Sequence, residues 1–97
     1  MLIRTQDKKS IINLDNVDTI SIEHALENRM RIKYYAGAID TVGILGEYST
    51  EEKTIKVLDM IQKKYLEYGT LASHFGSNIE SVFNIPKVFE MPQDSEV

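Results

Sequence analysis

The chain has 97 residues, 42% of them hydrophobic and 27% charged, with a net charge of −4 and no cysteine. This composition predicts one globular domain over residues 1–97 and excludes a disulfide framework and thiolate chemistry. The acidic balance disfavours direct nucleic-acid binding, which needs a concentrated basic face. No apolar run in the sequence reaches the roughly 20 residues of a membrane span, and charges from Arg4 onward interrupt any signal-peptide core. We expect a cytoplasmic protein without membrane contact.

The first half of the chain predicts antiparallel strands. Segments that combine apolar alternation with flanking turn residues are 2–4, 11–14, 19–24, 29–36 and 39–47. In the fourth of these, Met30, Ile32 and Tyr34 alternate with charged residues, so one face of the strand is dry and the other is wet. Gly43 and Gly46 in the fifth indicate a bulge or close backbone approach by a neighbour.

A long helix is predicted from Thr50 to about Tyr68, because this segment holds no glycine or proline. Its apolar stripe at helical spacing comprises Ile55, Leu58, Ile61 and Tyr65, flanked by Val57 and Leu66. Ser49 is the predicted N-cap, and Glu52 three residues later completes a capping box. Gly69 is predicted at the C′ position that ends the helix.

Beyond Gly69 the pattern is weaker. Residues 70–84 mix apolar side chains with serines and predict an irregular excursion that includes a short helix at most. A final strand at 88–91 lies between Pro86 and Pro92, and the polar residues 93–97 are expected to fray. The predicted fold class is α+β: an antiparallel β-sheet of about five strands with one long helix packed on one face.

No motif for catalysis or metal binding occurs in the sequence. His24 and His74 are the only histidines and lie far apart in the chain, with no carboxylate spacing typical of a metal site around them. The five glycines match no phosphate-binding loop, and the serines have no nucleophile-elbow context. We therefore expect a protein that is not an enzyme and has no metal and no cofactor.

One basic row is the best candidate for a binding site. Arg29, Arg31, Lys33 and Tyr35 alternate along one strand and are expected to share its solvent face. Such a row fits contact with phosphates or with an acidic protein surface. The alternative is that these side chains only solvate the outer face of a sheet or protect an edge. Glu23 on the preceding strand is expected to lie near Arg29 or Arg31.

Parts of the sequence resemble short uncharacterised proteins carried by phages, plasmids and integrative elements of Gram-positive bacteria. The resembling segments are LIRTQDK at 2–8, LDNV at 14–17, LGEYSTEE at 45–52, VLDMI at 57–61 and FEMPQDSEV at 89–97. The resemblance implies a context rather than an activity, and it carries over no catalytic or binding residue. Small accessory proteins of such elements often bind a host protein, and some of them inhibit CRISPR nucleases or other defence systems.

Two classes of function follow as expectations. The first is a non-catalytic protein-binding module that inhibits a host defence effector, a nucleoprotein such as a CRISPR nuclease being one example, through the basic row or the acidic tail. The second is a small-ligand or nucleotide-binding protein, with a pocket between the helix and residues 70–84. Whether the chain forms a homo-oligomer stays open at this point.

Overall fold

The computed structural model describes residues 1–75 and 88–97, with side chains placed for 1–67 and 88–97. Its elements in chain order are β1 (Leu2–Arg4), β2 (Ile11–Asn13), β3 (Thr19–His24), β4 (Met30–Ala36), β5 (Thr41–Tyr48), α1 (Glu51–Phe75) and β6 (Val88–Glu90). Short 3-10 turns lie at Leu14–Asn16, Leu26–Asn28, Gly37–Ile39 and Asp94–Glu96. Within these residues no helix has the length and apolar character that crossing a membrane requires.

The strands divide between two three-stranded sheets, with the orders β2-β1-β6 and β3-β4-β5. The α+β class is confirmed, whereas the expected single antiparallel sheet of about five strands is wrong. In the first sheet β1 is antiparallel to β2 and parallel to β6; in the second, all neighbours are antiparallel. Parallel neighbours need a long connection, and here the chain between β1 and β6 includes the second sheet and α1. Local alternation cannot indicate such a partner.

The buried core unites residues of both sheets and of α1. Its members are Met1, Ile3, Ile32, Leu45, Tyr48, Val57, Ile61 and Met91. On β4, Met30 and Ile32 are buried as the alternation predicts. The hairpin loop at Leu26–Asn28 contains Glu27 and Asn28 with positive φ, a conformation that suits a tight reversal.

The helix is capped by Thr50 and not by Ser49, so the predicted capping box is wrong. The Lys53 backbone N–H donates to Thr50 Oγ1 at 3.1 Å, which is the bond that an N-cap side chain accepts. Ser49 instead donates its N–H and its hydroxyl to Asp94 Oδ1, at 2.8 and 3.1 Å. A carboxylate 45 residues away therefore decides which of two good capping residues caps the helix.

The buried side of α1 also differs from the predicted stripe. The buried residues are Thr54, Val57 and Ile61, whereas Ile55 and Tyr65 are exposed. Thr54 can be buried because its Oγ1 donates to the Thr50 carbonyl oxygen at 2.7 Å, which satisfies the hydroxyl. A hydrophobicity pattern gives no weight to such a residue.

The far end of α1 lies beyond the predicted stop. The helix continues to Phe75, so Gly69 lies inside it. A glycine costs only about 1 kcal/mol inside a helix relative to alanine, and the residues that follow it include Leu71 and Ala72, which favour helix. Of the excursion predicted for 70–84, residues 70–75 are therefore helical and residues 76–84 lie outside the described part of the chain.

The C-terminal residues contact the body of the protein, in contrast to the frayed tail expected for 93–97. Val97 packs against the core, and the turn Asp94–Glu96 is closed by Gln93 N–H donating to Glu96 Oε1 at 2.7 Å. Lys53 Nζ donates to the Asp94 carbonyl oxygen at 2.9 Å. Polar residues thus hold this segment through specific hydrogen bonds.

Candidate protein-binding surface

The site predicted from sequence lies on the face of sheet β3-β4-β5 that points away from the core, called the outer face below. Its residues, strand by strand, are Thr19, Ser21 and Glu23 on β3, Arg31, Lys33 and Tyr35 on β4, and Val42, Ile44 and Glu47 on β5. The assignment follows from the register, since residues directly opposite one another on antiparallel strands point to the same face.

The charged part of the outer face is an ion-paired cluster. Glu23 Oε2 lies 2.8 Å from Lys33 Nζ, and Glu23 Oε1 lies 3.5 Å from Arg31 Nε. The hydrogen bond from Lys33 is the main cause that lowers the pKa of Glu23, and the charge of Arg31 adds to it. The prediction that Glu23 meets Arg29 or Arg31 across the strands is confirmed for Arg31.

This pairing weakens the basic row as an isolated cationic surface. Arg31 and Lys33 share one carboxylate, and both side chains are only partly exposed. Arg29 lies just before β4, close enough to the C-terminal turn for its charge to act on Asp94. The Ser49 N–H is the largest cause of the lowered pKa of Asp94, and the charge of Arg29 is a smaller cause. The three cations are therefore not equivalent.

The other part of the outer face is apolar. Tyr35 on β4 lies directly opposite Val42 on β5. Ile44 lies two residues further along β5, on the same face, and opposite Lys33. Their exposed fractions are 42% for Tyr35, 62% for Val42 and 46% for Ile44. An apolar patch beside charged residues is typical of an interaction surface.

Sequence reasoning identified Tyr35 but missed Val42 and Ile44. The register of β5 against β4 shifts between Ile32 and Lys33, so that Gly46 faces Ile32, Ile44 faces Lys33, and Leu45 has no partner. This is a bulge, as the two glycines predicted, and it turns Ile44 outward and Leu45 inward.

The close approach at Gly43 comes from a side chain and not from the backbone of a neighbour. A Cβ atom at Gly43 would lie 2.5 Å from Cε1 of Tyr34, the residue opposite it on β4. The Tyr34 ring therefore covers Gly43 on the inner side of the sheet, and any larger side chain there would displace the ring.

The described residues also bear on metal and ligand sites. Among the side chains placed for 1–67 and 88–97, no three of His, Asp or Glu gather as metal ligands would. A cavity of about 270 Å³ is lined by Leu14, Val17, Asp18, Thr19, Ile20 and Tyr65. Its one carboxylate, Asp18, already accepts the Gly37 N–H at 2.7 Å. The pocket expected beside residues 70–84 falls largely outside the described part of the chain.

Comparison with known proteins yields no match to a family model, to a curated protein or to a solved structure.

Proposed function

We propose that this chain is a non-catalytic protein that acts by binding another protein through the outer face of sheet β3-β4-β5. The observation that carries the proposal is the adjacent, exposed trio Tyr35, Val42 and Ile44. We take helix α1 to cover the opposite face of the sheet, which leaves the outer face available to a partner.

The composition of this surface suits protein recognition. Aromatic residues are enriched in protein interfaces, whose centres are apolar and whose rims are polar. Tyr35 is the aromatic member here, and the ion pairs of Glu23 with Lys33 and Arg31 form a polar rim on one side. A partner that buries the trio gains the hydrophobic contribution without breaking those pairs.

The class of partner is proposed from the resemblance to proteins of mobile genetic elements. We propose a host protein as the partner and inhibition of a host defence effector, such as a CRISPR nuclease, as the role, with the host cytoplasm as the place of action. Direct contact with nucleic acid is not part of the proposal, because the acidic residues outnumber the basic ones by 15 to 11.

The basic row keeps a secondary part in the proposal. Arg29, Arg31, Lys33 and Tyr35 remain the proposed contact residues, but the cations act at the rim, where they affect the association rate more than the affinity. Lys33→Met should slow association and reduce its salt dependence. An unchanged association rate would remove the basic row from the binding surface.

The proposal is tested by capture from a host lysate with a matched pair of variants. Ile44→Lys places a charge on the outer face, and Ile55→Lys places one on α1, at residues that are 46% and 45% exposed. We expect wild type and Ile55→Lys to retain one stoichiometric protein, identified by mass spectrometry, and Ile44→Lys to lose it. Equal capture by both variants would assign binding to another surface, and a co-purified small molecule without a protein would favour the ligand-binding alternative.

A further inference from the structure

Half of the outer edge of β5 is hydrogen-bonded by a single residue, Gln6, through its backbone and its side chain. The Gln6 backbone N–H donates to the Leu45 carbonyl oxygen at 2.8 Å. The Gln6 carboxamide donates to the Glu47 carbonyl oxygen at 2.9 Å and accepts the Glu47 N–H at 2.8 Å. This carboxamide forms the same pair of bonds that a peptide group of an added strand would form.

The backbone of Val42 and Ile44 points to the same edge, but no described residue bonds to it. The carbonyl oxygens of Arg29, just before β4, and of Tyr35, on β4, accept N–H groups from the β3 side, at 2.8 and 2.9 Å. By strand alternation Lys33, between them, also directs its backbone to β3. Residues opposite one another exchange both hydrogen bonds or neither, so Val42 and Ile44, opposite Tyr35 and Lys33, direct theirs outward.

The open half of β5 thus offers backbone groups and apolar side chains at the same two residues. Val42 and Ile44 each present an N–H, a carbonyl oxygen and an exposed side chain. Shallow cavities flank them on both sides. One of about 220 Å³ is lined by Gln6, Asp7 and residues 44–47, and one of about 160 Å³ includes Ile12, Tyr34 and Thr41.

Carboxylates lie at both ends of this open half. Asp40 precedes Thr41 and is exposed. At the other end are Glu47 and Asp7, and the Thr5 hydroxyl and the Lys9 N–H hydrogen-bond Asp7 and lower its pKa. Lys9 acts on Asp7, and Arg31, which is ion-paired with Glu23, lies opposite Glu47 on β4. An apolar centre between acidic ends is complementary to an apolar segment with basic ends.

The same carboxylates argue against a second copy of this chain as the occupant. A symmetric antiparallel pair that satisfies Val42 and Ile44 in both copies must place Val42 opposite the other copy's Ile44. Asp40 of each copy would then lie opposite Gly46 of the other, beside Glu47 and Asp7. Like charges across adjacent strands are destabilising.

Accepting the proposed protein-binding function, we propose that the edge of β5 at Val42 and Ile44 binds an extended segment of the partner as an added β-strand, with apolar residues at alternate positions and Lys or Arg at both ends. Main-chain hydrogen bonds then provide affinity, and the alternate side chains provide specificity. The residue of the added strand that lies opposite Gly43 points to the inner side of the sheet, towards the cavity of about 160 Å³ that is lined in part by Tyr34.

The first test uses a defined probe on the intact chain. A blocked synthetic peptide carries valines at alternate central positions and paired lysines at each end. We expect it to slow hydrogen exchange of the Val42 and Ile44 amides in the isotope-labelled protein, and to leave the Gly43 amide, which faces β4, unchanged. A matched peptide with N-methylated valines keeps its side chains and charges and should lose at least about tenfold in affinity.

The second test removes the donor from the protein. Val42→Pro removes an N–H group that points to the outer edge of β5, and it breaks no hydrogen bond to β4. Edge strands tolerate proline at positions whose N–H points away from the sheet. We expect about tenfold weaker peptide binding, with Val42→Thr near wild type as the control. Glu47→Gln should weaken binding and reduce its salt dependence.

Three results would overturn strand addition. The first is equal affinity for the N-methylated and unmethylated peptides, a test that needs no variant to fold. The second is a chain that sediments as a dimer with its Val42 and Ile44 amides protected, since a second copy would then occupy the edge. The third is a captured partner that binds Val42→Pro as tightly as wild type but does not bind Ile44→Lys. That result would rule out strand addition and leave the proposed binding through the outer face intact.

Discussion

The two halves of β5 have opposite environments although they belong to one strand. In the half after the bulge, Tyr48 is fully buried and donates its hydroxyl to the Pro92 carbonyl oxygen at 2.8 Å, and burial raises the pKa of Tyr48. In the half before the bulge, Val42 and Ile44 are exposed. One half of the strand therefore stabilises the fold, and the other exposes its apolar side chains.

The bulge at Leu45 separates the two halves. Without an inserted residue, strict alternation would place Ile44, Gly46 and Tyr48 on one face. With it, Leu45 and Gly46 are both buried while Ile44 stays outside. Neighbouring apolar residues of similar size can therefore have unrelated roles, and backbone pairing decides between them.

Leu45→Ala and Ile44→Ala test this contrast with the largest expected effect. Leu45 is 1% exposed and belongs to the core, so its truncation should lower the free energy of unfolding by about 2 to 5 kcal/mol. Ile44 is a surface residue, and its truncation should change that free energy by about 0.5 kcal/mol or less. Urea denaturation measures both. Losses of similar size would mean that the bulge lies elsewhere.

Gln6→Ala tests the hydrogen bonds that close the edge beside Glu47. The truncation leaves the Glu47 N–H and carbonyl groups without their partner, and the Pro92 carbonyl oxygen loses a bond of 3.2 Å. We expect a loss of about 1 to 3 kcal/mol in the free energy of unfolding. Gln62→Ala, at an exposed position of α1, is the control and should change it by no more than about 0.5 kcal/mol. Equal effects would contradict a structural role of Gln6.

Thr50→Ala and Ser49→Ala distinguish the helix cap from its neighbour. Thr50→Ala removes the acceptor of the Lys53 N–H and should cost about 0.5 to 2 kcal/mol. Ser49→Ala removes only the hydroxyl bond to Asp94, because the backbone N–H bond persists, and should cost about 0.5 kcal/mol. Thermal or urea unfolding ranks the two. The reverse order would restore Ser49 as the cap.

Acidification should give the smallest effect. The pKa values of Asp94 and Glu23 are lowered in the fold, by the Ser49 N–H and by Lys33 respectively, from ordinary values of 3.8 and 4.5. A carboxyl whose pKa is lower in the folded state contributes stability above its unfolded pKa and loses it as the pH falls through the folded pKa. The melting temperature should therefore decline below about pH 5.

Asp94→Asn is the control for the pH prediction. Its melting temperature should be lower at neutral pH and should decline less on acidification, because one of the three carboxylates with lowered pKa, those of Asp7, Glu23 and Asp94, is absent. A pH profile parallel to that of wild type would show that Asp94 is not responsible for the decline. Glu23→Gln separates the contribution of the outer face in the same way.

The sequence alone was sufficient where the signal is local. The alternation of Met30 and Ile32 with Arg31 and Lys33 predicted the two faces of β4. The spacing across the hairpin predicted Arg29 or Arg31 as the neighbour of Glu23, and the neighbour is Arg31. The long segment without glycine or proline predicted α1. These features depend on residues close in the chain, whose geometry is set by the repeat of the element.

Features that depend on distant residues were predicted incompletely or wrongly. Ser49 and Thr50 are both good caps, and Asp94 decides between them by binding Ser49. The polar ending 93–97 contacts the core through Val97 and through hydrogen bonds to residues far away in the chain. The exposure of Val42 and Ile44 could not be derived, because it depends on the register of β5 against β4.

By itself, the sequence determined the α+β class, the hairpin of β3 and β4 and the presence of α1, and it marked the two glycines of β5 as the place of a bulge or a close backbone approach. Only the tertiary structure decided that the strands form two sheets, that β6 joins β1 in parallel, and that no described residue hydrogen-bonds the edge of β5 at Val42 and Ile44. The physical reason is that alternation specifies which face of a strand is dry, whereas partner, direction and register come from contacts between segments far apart in the chain.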